Sequence, residues 1–385
     1  DFNTALGYAA LSANPTASQN TAVGALALRN NDTGSQNVTV GYGSLSTNTV
    51  RIRNVSVGRG ALGTNNGSYS TAVGDYSLAN NTTGRNTAFG IESLFTNGSG
   101  FYNTALGDGS LYANSTGVYN TAVGAFALDA NTTGQYNTAV GYSALGTITG
   151  VSASTAVGYN ALSLATAGQN TALGYEAGGA VLGGFDNVLL GYRAANYQNN
   201  LTTGGDNTVV GAYTRLSSGT VSSETVIGRY ALGQGANTAT LGISGNGVHI
   251  TLNGSTTSWS AHSDERLKEN IQDSTAGLSF INDLRPITYN WKSKKDISED
   301  FVNYYDANSD EPVQGEVKQT NHCFIAQEVK AVIDAHPEIK EGHSIWRESP
   351  DGVQNVADGA LMPMLVKAVQ ELSAQVEELK SRLGD

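Results

Sequence analysis

Ser263 and Lys268 stand five residues apart in the run Trp259-Ser260-Ala261-His262-Ser263-Asp264-Glu265-Arg266-Leu267-Lys268-Glu269-Asn270-Ile271. A serine hydroxyl attacks a carbonyl only when a base takes its proton, and an ordinary lysine amine, with a pKa near about 10.4, is protonated at neutral pH. The pair therefore reads as chemistry only if Lys268 is desolvated or set beside another cation. The same residues admit a plainer arrangement, with Ser263 as an N-cap and the charged run as the solvated face of a helix. Asp264 and Asn270 suit either role, as groups that orient a hydroxyl or polarise a carbonyl, or as surface caps. His262, on the other side of the 262–263 bond, is given no catalytic part. His322 and Cys323 are adjacent and invite a Cys/His or metal reading, but a buried strand with a free thiol is the expectation, so neither a metal nor a cofactor is expected.

The elements that must position this run differ sharply on its two sides. Residues 1–262 contain 10 acids, 8 arginines and no lysine, whereas residues 263–385 hold 23 acids, 13 bases and five of the six prolines. Nearly all of the net charge of −12 thus belongs to the last third, which has the composition of a charged globular domain. The excess of acid argues against a binder of nucleic acid held by phosphate contacts. One cysteine excludes an internal disulfide framework, and no apolar stretch approaches the roughly 20 residues of a membrane helix.

The first two thirds, rich in Gly, Asn, Thr, Ala and Ser, would pass for a linker if periodicity did not exclude it. A motif close to Asn-Thr-Ala-Val-Gly recurs with its glycine at Gly7, Gly24, Gly41, Gly58, Gly74 and onward to Gly228 and Gly242, at spacings of 16 or 17 until 20 and 14 appear near the end. So short a period predicts a stacked solenoid of short strands and tight turns. At about 4.8 Å per strand, fifteen coils would make a rod of about 70 Å. The apolar column before the glycine (Leu6, Val23, Val40) and the leucine column four residues after it (Leu11, Leu28, Leu45) are expected to fill a thin core. The small column Ala5, Ala22, Thr39, Ser56 is expected on the opposite strand face, against a neighbouring chain. Asn3, Asn20, Asn37 and Asn103 are expected to bond from coil to coil, and the motif glycine to permit a positive φ. Arg51, Arg53, Phe101 and Tyr102 break the repeat and are candidate surface contacts.

The repeat resembles the head of trimeric autotransporter adhesins, whose Asn-Ser-Val-Ala-Ile-Gly motif builds a left-handed parallel β-roll that trimerises side by side. That resemblance covers residues 3 to about 242, with a period two or three residues longer here.

The junction carries a second resemblance. Ser-Asp-Glu-Arg-Leu-Lys-Glu-Asn-Ile from Ser263, then Leu284-Arg285-Pro286-Ile287-Thr288-Tyr289-Asn290-Trp291-Lys292, then Phe324-Ile325-Ala326-Gln327-Glu328-Val329, follow the order seen in the C-terminal intramolecular chaperone and self-cleavage domain of phage tailspikes and tail fibres, which also occurs in a membrane-anchored eukaryotic transcription factor. The resemblance implies that Ser263 is the nucleophile and Lys268 the general base, and that the bond broken is His262–Ser263, in a single-turnover reaction. It also implies three chains, so that assembly could supply the burial Lys268 needs.

The chain closes on a helical pattern. Met362, Leu365, Val369, Leu372, Val376, Leu379 and Leu383 alternate spacings of 3 and 4, an a/d seam. Valine at a with leucine at d leans towards two strands, while the resemblance says three. About three heptads are marginal alone, so the neighbouring domain is expected to fix the number of chains. The alternative is an amphipathic helix packed on its own domain.

The expected architecture is therefore an all-β parallel β-roll or solenoid forming a trimeric rod, followed by an α+β chaperone domain with a C-terminal coiled-coil helix. Its parts are repeats over 1–250, a linker over 251–262, the chaperone and auto-processing domain over 263–357 and a trimerisation helix over 358–385. The expected function is that of a viral tail fibre or tailspike fragment for host attachment. Its partners would be two further copies and a glycan or protein receptor on the host surface. Neither nucleic acid nor membrane insertion is expected, and the place would be the virion, after folding as a soluble protein in the host cytoplasm. Because the sequence starts inside a repeat, a virion-anchoring N-terminal part is expected to precede it. The rivals are a cellular trimeric surface adhesin, a tailspike that degrades glycans, which the shortage of acids in the repeats disfavours, and ice binding by the Thr4, Thr21, Thr71 column, disfavoured because that column shares a face with the supposedly buried Val/Leu position.

Overall fold

The computed structural model describes residues 2–244, 246–252, 260–261, 265–300, 304–313, 320–340, 344–349 and 352–384. The chain divides into two compact units, 1–263 and 264–385.

The first unit is a parallel β-solenoid of about 14 turns, as the repeat predicts. Among the described residues, fifteen strands run from β1 (Thr4–Leu6) to β15 (Thr238–Ile243), one per coil, each parallel to the next. Registry is one repeat per step, Thr4 opposite Thr21, Ala5 opposite Ala22 and Leu6 opposite Val23, and so on along the sheet. The sheet then turns back through antiparallel β16 (Asn246–Thr251) and β17 (Ser260–Ala261).

The strand face is the reverse of the expectation. In a Thr-Ala-Val strand the alanine points inward: Ala22, Ala72, Ala88, Ala122 and Ala139 are fully buried. The residue before the glycine faces out, with Leu6 67%, Phe89 57% and Leu173 52% exposed. The threonine lies on that outward face too, so the premise that it shares a buried face is also corrected. Interior volume explains the reversal. The leucine column does fill the core, Leu28, Leu45, Leu62, Leu78 and Leu94 being fully buried, and these side chains leave room opposite for a methyl group only. Where that column shrinks to Gly178 and Ala195, the inward strand residue grows to Leu189 and Val209. A Cβ on Gly178 would stand 2.4 Å from Leu189 Cδ1.

The motif glycines from Gly7 to Gly228 have φ between +124° and +143°. A Cβ would also meet the backbone of the next coil; at Gly124 it would lie 2.6 Å from the Gly141 carbonyl oxygen. Conformation and contact together require glycine there. The leucines of the core column take left-handed φ near +50°, Leu28 at +50° and Leu45 at +49°. Each donates its N–H to the following coil, Leu28 to Ser44 O at 3.0 Å and Leu45 to Ala61 O at 2.9 Å.

Buried asparagines link the coils as expected. Asn120 Nδ2 donates to Gly134 O at 2.8 Å, its N–H donates to Asn103 Oδ1 at 3.0 Å, and its own Oδ1 accepts from the Asn137 N–H at 3.0 Å. A second amide ladder runs through Asn14, Asn31 and Asn48, at 2.7 Å per step.

The second unit is a small α+β domain. Helix α1 (Leu278–Asp283) leads to β18 (Ile287–Tyr289), which pairs antiparallel with β19 (Asn321–Cys323). Helix α2 (Ala326–Ala335) is followed by a hairpin of β20 (Trp346–Glu348) and β21 (Gln354–Val356), then by α3 (Met362–Leu383). Phe280, Val329, Ile333, Ile345 and Leu361 form its core.

Candidate functional site: the chaperone domain and its opening segment

A short 3-10 turn, Glu265–Leu267, opens the second unit, and Lys268 closes it by donating its N–H to Glu265 O at 3.0 Å. Lys268 is exposed, as is Asn270, which takes φ +54°. His262, Ser263 and Asp264, and with them the 262–263 bond, lie outside the described residues.

The two downstream motifs are brought together. Arg285, from the first, donates Nε to Glu328 Oε2, from the second, at 2.9 Å, in a two-pronged ion pair. The guanidinium holds the Glu328 carboxyl below the ordinary carboxylate range. The β18–β19 ladder joins the same two segments just beyond that pair.

His336, at the end of α2, is buried and held on both nitrogens, by Asp283 Oδ2 and Glu338 Oε1, each at 2.8 Å. Its hydrogen bonds to the two carboxylates raise its pKa above the usual imidazole value. No motif singled this residue out; a histidine followed two residues later by an acid is the only trace it leaves in sequence.

Cys323 is half-buried on β19, its Sγ 2.9 Å from Phe324 O, and burial pushes the thiol pKa up. That favours the neutral thiol over a nucleophilic thiolate. His322, its neighbour, is exposed. Among the described residues no group of three His, Cys, Asp or Glu is placed to hold a metal ion.

Helix α3 shows two faces. Ala368 is buried, and Met364 packs on the core. The seam Met362, Leu365, Val369, Leu372, Val376, Leu379 and Leu383 lies open, from Leu365 at 41% to Leu383 at 84% exposed. Proline just inside the N-terminus and left-handed Gly384 at the C-terminus bound the helix as the sequence grammar requires. No helix among the described residues is long and apolar enough to cross a membrane.

The solenoid surface carries features that reading one repeat at a time does not reveal. Equivalent side chains stack coil on coil, so Tyr102, Tyr119 and Tyr136 form a ladder with ring centroids 5.2 and 5.3 Å apart. Arg85 joins it, 5.4 Å from the Tyr102 ring. Tyr142, Tyr159, Tyr175 and Tyr192 form a second ladder at 5.0 to 5.3 Å. Writing the repeats one above another would have exposed both columns. The Phe101–Tyr102 pair belongs to the first ladder, as does Arg53, 5.6 Å from the Tyr69 ring.

Comparison with known proteins bears on the second unit. Residues 263–336 match the peptidase family described as chaperone of endosialidase. No curated protein and no solved structure is significantly similar to the chain. A domain of that family beside a β-solenoid makes this a tailspike-like or fibre-like protein.

Proposed function

We propose that the chain is part of a viral tail fibre or tailspike that attaches to a host surface, and that its C-terminal domain brings three copies together and then cuts itself away at His262–Ser263. The observation that carries this reading is positional: the family match starts at Ser263, the residue at which the first compact unit ends. The open seam of α3 supports association, since seven exposed apolar residues on one helix face gain by burial against like helices. The outward Leu/Val/Phe column of the solenoid offers the rod a matching apolar surface.

In the cleavage step, Ser263 Oγ adds to the His262 carbonyl carbon as Lys268 Nζ takes the hydroxyl proton. The His262–Ser263 C–N bond then breaks, the Ser263 amine receives that proton, and one water hydrolyses the resulting ester to release the His262 carboxylate. A lysine base must be neutral, and Lys268 is exposed in the single chain. Burial by neighbouring copies would supply the desolvation, so cutting would wait for assembly.

Purification of the full chain, light scattering and a denaturing gel test the reading. A three-chain mass with fragments of 262 and 123 residues is expected, and Ser263→Ala or Lys268→Ala should leave one full-length band. Cleavage that survives either substitution would remove the dyad; a monomeric mass would remove the assembly role.

A further inference from the structure

One stretch of the solenoid surface departs from the pattern of the rest. Two residues after each motif glycine, the outward left-handed position is usually filled, by Leu26, Tyr76, Glu92 or Phe126; in two consecutive coils it is Gly43 and Gly60. In the adjacent column Gly63 lies between Ser46 and Ala79. Three missing side chains on neighbouring coils leave a groove of about 550 Å³ along the axis, its lining drawn from five coils, Leu26 to Phe95. At about 4.8 Å per coil, that is about 19 Å between the first strand and the fifth.

The walls of this groove carry sugar-recognising chemistry. Tyr42 is 59% exposed and, among the described residues, has no stacked ring or cation partner, unlike the tyrosines of the two ladders. Phe95 stacks on Tyr112 on one side, with centroids 5.2 Å apart; on the other, the preceding coil offers only Ala79 in that column, so its second face turns to the groove. Tyr76 lies on the glycine floor, where a Cβ on Gly60 would come within 2.8 Å of its ring, and Arg59 stacks on it at 4.9 Å. Thr47, Thr64 and Asn80 also line the groove; the Thr47 hydroxyl donates to Gly63 O and the Thr64 hydroxyl to Ala79 O, each at 2.7 Å, which leaves the hydroxyl lone pairs as acceptors. The charged lining residues are Arg29, Arg59 and Glu92, and Arg59 is paired at 3.5 Å with Asp75, which lies outside the lining.

We propose that this groove binds a neutral oligosaccharide, the C–H faces of its pyranose rings resting on Tyr42 and Phe95 and its hydroxyls bonded by Arg59, Glu92 and Asn80. Open aromatic faces beside polar donors and acceptors suit sugar hydroxyls, and with Arg59 offset by Asp75 the remaining Arg29 and Glu92 leave no excess charge to favour a polyanion. The groove lies on the turn side of the coil, off the strand face that carries the exposed apolar column. This inference rests on the attachment reading and names its ligand class and site.

Titration calorimetry of the full chain with maltohexaose, cellohexaose, N-acetylchitohexaose and, as the anionic comparison, a hyaluronan hexasaccharide tests it. At least one neutral probe should bind, and Tyr42→Ala should weaken it at least tenfold. Gly43→Phe should do the same by filling the groove. It should also fold, because no atom lies within 4 Å of a Cβ there and Phe126 holds the equivalent position at φ +56°. A cooperative unfolding transition and a far-ultraviolet spectrum like the parent's check this, with the melting temperature lowered by no more than the cost of a left-handed L-residue, and Tyr159→Ala, in a ladder, should bind as the parent does. No binding to any neutral probe, a preference for hyaluronan, or binding unchanged in both groove variants would overturn the proposal. Attachment is read separately from labelled chain on a panel of bacterial strains. Cell binding that survives Gly43→Phe removes the groove and leaves attachment standing; sugar binding without cell binding does the reverse.

Discussion

Glu371, halfway along α3, accepts the N–H of Leu278 at 2.7 Å and so caps the first turn of α1, whose own N-cap residue is Gly277 and offers no side chain. The helix that displays the open seam thereby also completes the domain core. Glu371→Ala should cost about 1–2 kcal/mol, the value of a lost charged cap, and Glu371→Gln less. Urea unfolding followed by tryptophan fluorescence measures it, since the three tryptophans, Trp259, Trp291 and Trp346, all lie at the junction or beyond.

The trade between Leu145 and Ala156 predicts a rescue. Leu145→Gly should destabilise the solenoid by about 3–5 kcal/mol through the cavity it leaves. Adding Ala156→Leu should return a large part of that, because the Gly178 and Leu189 coils already hold this combination. Thermal unfolding by circular dichroism reads the cycle, and a double variant no better than the single would show that the interior is not conserved in volume.

Asn120→Ala removes one rung of the buried ladder and leaves the Asn137 N–H and the Gly134 carbonyl without this partner. A loss of about 2–4 kcal/mol is expected, against a change within about 0.5 kcal/mol for the exposed Thr116→Ala.

His336 sets a pH dependence on the second unit. Its pKa is raised on folding, so its contribution is complete below the ordinary value of 6.5 and is lost as pH rises through the elevated folded value. Glu338, lowered by His336, contributes above its ordinary 4.5, and that part is lost as pH falls through the depressed folded value. Stability of this domain should therefore peak in mildly acidic solution, and His336→Gln should flatten its decline from about pH 6.5 upward. Tryptophan-monitored unfolding across pH checks both limbs.

Leu372, on the open seam of α3, separates assembly from folding. An exposed side chain costs the single domain little to change, so Leu372→Asp should leave the far-ultraviolet spectrum intact and lower the mass seen by light scattering. Loss of the helix signal itself would instead place Leu372 in the domain core.

Much of this was legible in the sequence. The glycine period gave the solenoid, and the 3-4 spacing from Met362 to Leu383 gave the last helix, because each follows from backbone geometry alone. The facing of the strands was not legible. Val23 outranks Ala22 as a core residue by size, yet the deciding quantity is the space left by Leu28, which belongs to a different column. Lys268 and Asn270 stand in a recognisable motif, but the structural ties of His336 and Glu371 reach partners 53 and 93 residues away, which no local pattern announces.

The left-handed residues of each coil bear on how such a chain can begin to fold. Leu28, Tyr69, Phe126 and their counterparts occupy a conformation that costs an isolated L-residue about 1–2 kcal/mol, and hydrogen bonds to the coils on either side hold it. A coil without a finished neighbour has little to offset that cost. Growth should then resemble crystallisation on a seed, slow to start, quick to spread, and halted at the first layer laid down wrongly.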